Sequence, residues 1–118
     1  MFDQARELLR EFKGDCYLNG FDVLGDAGRM AAGMGRRAVV VRGGFAGSDA
    51  YVAAITKSLE AAGMEVARTV RGAAPNAPRE DLARITAEIA EAAPDFIVSF
   101  GGGSTIDAVK AAEVLRTL

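Results

Sequence analysis

The apolar residues of this chain are arranged in short continuous runs that alternate with longer stretches of helical spacing. Short continuous runs are typical of strands that are buried on both faces, and they occur here at 38–41 and 96–100. The alternating residues 64–70 predict a strand nearer the edge of a sheet. Apolar positions three and four residues apart follow each strand and predict helices at 48–62, 80–93 and 104–118.

The part of the chain before residue 38 is less regular. We expect an amphipathic helix at 2–12, a short strand at 16–18 and a glycine-interrupted helix at 23–34. From residue 38 onward a strand recurs roughly every thirty residues, as in stacked right-handed βαβ units. The predicted fold class is therefore α/β, a Rossmann-like parallel sheet with helices on both faces. It forms a single domain over 1–118, with residues 1–15 leading in as a helix.

Three consecutive glycines stand between the last predicted strand and the last predicted helix. Glycine lets a ligand approach the backbone closely, and the N–H groups at the start of a helix attract phosphate. The sequence therefore predicts a phosphate or pyrophosphate site at Gly101, Gly102 and Gly103, followed by Ser104 as a helix cap that can also contact phosphate. The spacing is neither G-x-G-x-x-G nor that of a P-loop. A flexible connection is the structural alternative, although one glycine would satisfy it.

Asp107 follows Ser104 by three residues, and the pair resembles a capping box. Asp107 either closes that box or faces a cofactor ribose, and the residues alone leave both roles open. Lys110 comes one helical turn later, where a local ion pair with Asp107 is expected.

A second pair of glycines, Gly43 and Gly44, follows the strand at 38–41. This is the edge of the sheet at which α/β proteins bind ligands. An NAD site commonly has a carboxylate there for the ribose 2′-hydroxyl, whereas a 2′-phosphate requires a small residue and a cation. The two glycines, with Arg42 adjacent, therefore favour NADP over NAD as the cofactor. The alternative is a glycine turn beside a solvated arginine.

Composition narrows the chemistry that the chain can support. It has 118 residues, a net charge of −2, one cysteine and no histidine. The charge offers no basic surface to nucleic acid or to an anionic membrane, and the lone cysteine suits a reducing compartment. Histidine-ligated metal sites and Ser-His or Cys-His nucleophiles are excluded within the chain. Because the N-terminus is charged and no apolar run is long enough for a signal peptide or a membrane span, we expect a cytoplasmic location.

The sequence G-G-G-S-T-I-D-A-V-K at 101–110, the pair Pro75-Asn76 upstream and the apolar strand at 38–41 occur in one characteristic order and spacing. In this combination the chain from about residue 17 to 118 resembles the N-terminal nucleotide-binding domain of the iron-containing (group III) alcohol dehydrogenases. That superfamily also includes glycerol dehydrogenase and dehydroquinate synthase. Taken alone, Pro75-Asn76 predicts only a turn into a helix.

The resemblance implies roles for individual residues. Gly102, Gly103 and Ser104 are expected to contact the pyrophosphate of a dinucleotide. Asn76 is expected to line the adenosine side of the cleft, and Asp107 to support the nucleotide site.

The resemblance also implies a function. Gly43 takes the position at which NAD-preferring members have Asp and NADP-preferring members often have Gly. Members interconvert alcohols with aldehydes or ketones by hydride transfer with NAD or NADP, and we expect a homo-oligomer. Their iron or zinc is held by Asp and His residues of a helical C-terminal domain. We therefore expect this chain to be a truncated cofactor-binding domain without activity of its own.

Three alternatives remain open: a dehydroquinate synthase-type lyase, a glycerol dehydrogenase, and a non-catalytic nucleotide-binding module. Glycerol dehydrogenases usually have Lys at the position of Ser104, which favours the alcohol dehydrogenase branch.

Overall fold

Three parallel strands form the sheet of the computed structural model, which describes residues 3–5, 7–8 and 23–118. Strand β1 spans Arg37–Arg42, β2 spans Glu65–Arg71 and β3 spans Phe96–Phe100, in the order β2-β1-β3. The continuously apolar β1 is central and its four middle residues are buried, as expected for a strand covered on both faces. The alternating β2 lies at an edge, as its pattern predicts. The prediction that 96–100 is buried on both faces is wrong, because β3 lies at the other edge and its five residues are only partly buried.

The helices follow the strands in the predicted alternation. A 3₁₀ helix at Val23–Asp26 leads into α1, and longer helices follow β1, β2 and β3. Their bounds are Ala27–Ala31 for α1, Ser48–Ala61 for α2, Arg79–Ala92 for α3 and Gly103–Thr117 for α4. Residues 3–5 and 7–8 are also helical, in agreement with the helix expected there, while the strand predicted at 16–18 lies outside the described residues.

Two separate apolar cores cover the two faces of the sheet, because successive side chains of β1 point in opposite directions. Val39 and Val41 pack with α3 and α4, in a cluster that includes Ile85, Ile89, Ala108 and Ala112. Ala38 and Val40 face α1 and α2 instead, in a cluster that includes Ala31, Val52, Ile55 and Leu59. The predicted architecture of a parallel sheet with helices on both faces is thereby confirmed.

Two helix ends differ from the predictions. The helix expected at 23–34 ends at Ala31, because the chain turns at Ala32 and Gly33, whose φ is +91°. Ala93, the last residue of the helix predicted at 80–93, is instead exposed at the C-cap with a left-handed φ of 48°. The residue before it, Ala92, is the one that is buried.

The capping box predicted for Ser104 and Asp107 is wrong. Helix α4 begins one residue earlier than expected, and its N-cap is Gly102, which makes no side-chain cap hydrogen bond. The Gly102 carbonyl accepts hydrogen bonds from the N–H groups of Thr105 and Ile106, at 3.1 and 3.2 Å. Ser104 therefore lies inside the first turn. Among the ion pairs of the described residues, none joins Asp107 to Lys110.

Candidate functional site

Each strand of the sheet is followed directly by a glycine: Gly43 after β1, Gly72 after β2 and Gly101 after β3. The three turns are joined by backbone hydrogen bonds. The N–H of Gly43 donates to the carbonyl of Phe100 at 2.6 Å, and the N–H of Gly72 donates to the carbonyl of Arg42 at 2.7 Å. Just beyond the strand ends, the carboxyl edge of the sheet is therefore formed by the main-chain atoms of these glycines.

Thr105, in the first turn of α4, packs against all three glycines and is only 3% exposed. A Cβ on Gly72 would lie 2.5 Å from Thr105 Oγ1, and one on Gly101 would lie 3.2 Å from Thr105 Cβ. A Cβ on Gly43 would lie 3.3 Å from the Cα of Gly101, which itself has a φ of +154°. Only glycine lets the strand ends approach α4 this closely.

A cleft of about 610 Å³ opens above these turns. The N-terminus of α4 faces it, and the first N–H groups of a helix have no acceptor within that helix. Five of the predicted site residues line the cleft: Gly43, Gly44, Gly102, Gly103 and Ser104. The combination of free N–H groups, a positive helix end and a glycine floor suits a phosphate group.

The other three predicted site residues do not line the cleft. Gly101 lies beneath it, packed on Gly43. Asn76 is exposed in the turn that leads to α3, with a left-handed φ of 66°, and the N–H of Ala77 closes this turn on the carbonyl of Ala74 at 3.0 Å. Asp107 is exposed on the second turn of α4.

Helix α3 holds one wall of the cleft in place, a role that the sequence does not indicate. The N–H of Ala74 donates to Asp81 Oδ2 at 2.8 Å, and this hydrogen bond, with Arg84 nearby, lowers the pKa of the Asp81 carboxyl. Arg84 donates to the carbonyls of Arg71 and Gly72, at 2.8 and 2.9 Å. The first two turns of α3 thus fix the segment after β2, and both contacts depend on tertiary packing that has no local signal.

Arg42 lies at the end of β1 and its guanidinium is held by its own protein. It forms an ion pair with Asp49, donates to Ser48 Oγ, and donates through Nε to the carbonyl of Gly43 at 3.3 Å. Its positive charge is therefore balanced at the N-terminus of α2, beside the cleft.

An aromatic cluster borders the same edge. The ring of Phe45 lies 5.6 Å from that of Phe100 and 6.3 Å from that of Tyr51, measured between centroids. Phe45 lines the cleft and remains half exposed, so it presents an apolar surface to a ligand.

The described residues do not fit a catalytic metal. The sequence has no histidine, and residues 3–5, 7–8 and 23–118 contain no group of three or more Cys, Asp or Glu side chains that could hold an ion. Within the same ranges, no helix has the length and apolarity needed to cross a membrane.

The parallel sheet, the helices on both faces and the ligand-sized cleft at the carboxyl edge define a Rossmann-like α/β domain. A family model described as iron-containing alcohol dehydrogenase matches residues 15–118, and the chain belongs to that family. The resemblance carried by the glycine run and Pro75-Asn76 is confirmed. No curated protein matches the chain significantly.

Solved structures agree with the family. The iron-containing alcohol dehydrogenase from Thermococcus thioreducens is 26% identical and superposes with a TM-score of 0.73, over 82% of this chain and 25% of that one. An archaeal halo-thermophilic alcohol dehydrogenase from a Red Sea brine pool, ADH/D1 bound to NZQ, is 25% identical with a TM-score of 0.70, over 80% and 24%. The chain spans about a quarter of the length of these structures.

Proposed function

We propose that this chain is the cofactor-binding part of an alcohol dehydrogenase that interconverts an alcohol and an aldehyde or ketone with NAD or NADP. The observation that carries the proposal is the cleft in which the N-terminus of α4 meets the glycines that end β1 and β2. Membership of the iron-containing alcohol dehydrogenase family supports it.

The pyrophosphate of the dinucleotide would lie on the first turn of α4. The N–H groups of Gly103 and Ser104 have no acceptor within the helix, and both residues line the cleft. The helix dipole adds a favourable field for the two phosphate charges. Gly101 supports this turn from below through its contact with Gly43.

The adenosine would extend from there over Gly43 and Gly44, with Phe45 as an apolar neighbour. Asn76 and Asp107 would support the nucleotide site indirectly, since neither residue lines the cleft. Asn76 adopts the left-handed conformation that the turn after the cleft wall requires, and Asp107 lies one turn further along α4.

NADP is the proposed preference. Gly43 and Gly44 place no carboxylate where the ribose 2′ position would lie, so a 2′-phosphate meets no negative side chain from this turn. A Cβ on Gly44 would have no atom within 4 Å, which leaves room for the larger cofactor.

Hydride transfer itself is the chemistry of the bound nicotinamide. This chain would contribute binding and orientation of the cofactor, and residues outside the 118 would hold the metal. We therefore expect no alcohol oxidation by the purified chain alone with NADP and added Fe²⁺ or Zn²⁺. Metal-dependent turnover that copurifies with the chain through successive columns would contradict this.

We also propose a cytoplasmic location, because a single cysteine suits a reducing compartment.

Self-association of the protein is a further part of the proposal. The support for association is the edge position of β3, whose five residues are all only partly buried, and the exposed Val114 and Leu115 on α4. Light scattering coupled to size-exclusion chromatography measures the mass directly, and a monomer at micromolar concentration would contradict the association.

Isothermal titration with NADPH, NADH, FMN and inorganic phosphate tests cofactor binding. The proposal expects a dinucleotide to bind more tightly than phosphate, and NADPH more tightly than NADH. FMN binding without dinucleotide binding would favour a non-catalytic nucleotide-binding module instead.

A further inference from the structure

We infer that Arg71, at the carboxyl end of β2, is the residue that recognises the 2′-phosphate of the cofactor, an inference that rests on the dinucleotide binding proposed above. Arg71 and Arg42 are register partners at the ends of two adjacent parallel strands, and both line the cleft. Their positions at the strand ends alone therefore do not show which of the two arginines would bind a phosphate. Their surroundings differ.

Arg42 is already committed to protein partners. Its two terminal nitrogens bind Asp49 and Ser48, and its Nε donates to the carbonyl of Gly43. A cofactor phosphate at Arg42 would have to displace the Asp49 carboxylate or approach it closely, and two like charges at that distance repel. The arginine beside the Gly43-Gly44 turn is therefore an anchor for α2.

Arg71 has its donors available to a ligand. Within residues 3–5, 7–8 and 23–118, its guanidinium forms no ion pair and no hydrogen bond, and the residue is exposed. Its backbone is nevertheless fixed, because its carbonyl accepts a hydrogen bond from Arg84 Nη1 at 2.8 Å. The Asp81 carboxylate also lines the cleft, and the charge of Arg71 contributes, after the hydrogen bond from Ala74, to lowering its pKa. Unlike Asp49 at Arg42, Asp81 forms no ion pair or hydrogen bond with Arg71, because its oxygens are engaged by the N–H of Ala74 and by Arg84.

The strand order places Arg71 on the correct side of the cleft. Because the sheet runs β2-β1-β3, the end of β1 with Gly43 and Gly44 lies between the ends of β3 and β2, and the first turn of α4 reaches across to Gly72 through Thr105. A dinucleotide with its pyrophosphate on α4 and its adenosine ribose over the two glycines has β2 as the next strand beyond the ribose. Neighbouring strands are about 4.8 Å apart, and a guanidinium binds phosphate through paired N–H donors.

The test compares three Arg→Gln variants by isothermal titration with NADPH and NADH, two cofactors that differ only in the 2′-phosphate. Arg71→Gln should weaken NADPH about tenfold or more and change NADH less than about twofold, because one charge-assisted contact is lost. Arg71→Lys keeps the charge without the paired donors and should be intermediate. Arg42→Gln should change both cofactors by a similar factor.

Arg79→Gln is the matched control, since Arg79 is exposed in the first turn of α3 and lies outside the cleft. It should alter neither affinity. Equal losses for the two cofactors in Arg71→Gln, or selective loss of NADPH in Arg42→Gln, would overturn the inference. So would equal affinity of the unmodified chain for both. Absence of any dinucleotide binding by the unmodified chain is a separate result, which overturns the proposed function itself.

Discussion

Thr105 Oγ1 lies 2.5 Å from the position that a Cβ on Gly72 would occupy, so α4 and the end of β2 meet at a distance that no side chain on Gly72 can share. The carbonyl of Arg42 would be 2.9 Å from the same Cβ. The position is therefore closed by backbone on one side and by a buried threonine on the other.

Gly72→Ala should destabilise the fold by about 1–3 kcal/mol, the usual cost of overpacking. Urea unfolding followed by circular dichroism measures the loss. Adding Thr105→Ala to this variant should recover part of the stability lost, since it removes two of the three closest atoms.

Gly44→Ala is the control for that experiment, because an added Cβ there meets no atom within 4 Å. Its stability should stay within about 0.5 kcal/mol of the parent or rise slightly through the unfolded state. Equal destabilisation by the two substitutions would show that the contact with Thr105 does not determine the cost.

Gly43→Asp should shift cofactor preference from NADPH towards NADH. A carboxylate at this strand end repels a 2′-phosphate and can accept a hydrogen bond from a 2′-hydroxyl, so we expect the ratio of the two dissociation constants to change by about tenfold or more. Titration with both cofactors gives that ratio.

Gly43→Ala is the control for this comparison, because it adds a Cβ at position 43 without adding a negative charge. That Cβ would stand 3.3 Å from the Cα of Gly101. The alanine variant should weaken both cofactors alike. If it changed the preference as much as aspartate does, electrostatic repulsion would not be the cause.

Asp95 should make stability depend on pH in acid. Its Oδ2 accepts hydrogen bonds from the N–H groups of Arg36 and Arg37, at 2.9 and 3.0 Å, and these lower the pKa of the carboxyl below 3.8. A group whose pKa is lowered by folding stabilises the folded state above its unfolded pKa, and this stabilisation is lost as the pH falls through the folded pKa.

Asp95→Asn should therefore reduce stability at neutral pH and lose less between neutral pH and about pH 3 than the parent does. Urea midpoints at the two pH values provide the measurement. Glu60→Gln, an exposed change on α2, should leave the difference between the midpoints unaltered. A parent and an Asp95 variant with the same acid dependence would contradict the assignment.

Ala93→Gly should stabilise the protein or leave it unchanged. Ala93 ends α3 with φ and ψ of 48° and 60°, a left-handed conformation that costs a residue with a Cβ about 1–2 kcal/mol. The flexibility of glycine in the unfolded chain offsets part of that gain. Thermal unfolding is sufficient to measure the sign.

Ala87→Gly makes the same chemical change at an exposed position inside α3. It should cost about 1 kcal/mol, because glycine is a poor helix former. Opposite signs, or at least a clear difference, are expected for the two substitutions, and equal losses would argue against strain at Ala93.

Much of the fold could be predicted from the sequence because its determinants are local. The apolar runs at 38–41 and 96–100 and the alternating run at 64–70 correspond to the three strands within one residue at each end. Burial of the run at 96–100 was not predictable from its apolar residues, because β3 lies at an edge of the sheet. Helix α3 was expected at 80–93 and spans Arg79–Ala92. The errors occur at termini, where Gly102 replaces Ser104 as the N-cap and Ala93 leaves the helix.

The site could be predicted only in part. The glycines after β1 and β3 stand out because they follow apolar strands directly, and five of the eight expected residues line the cleft. Gly72 gave no such signal, since its role depends on Thr105, which is distant in sequence. The contribution of Asp81 and Arg84 is equally non-local, because it comes from packing α3 beside the turn after β2.

The three strand-end glycines give the cleft a floor that is made of backbone atoms. The floor beneath the cleft consists of main-chain atoms whose positions are fixed by packing on Thr105, and every sequence that keeps this packing keeps the same floor. The rim carries side chains instead, among which Arg71 is exposed and forms no side-chain hydrogen bond or ion pair within the described residues, whereas Phe45 packs against Phe100 of β3. A substitution at Arg71 can therefore change the charge that the rim presents to a ligand while the backbone floor stays the same.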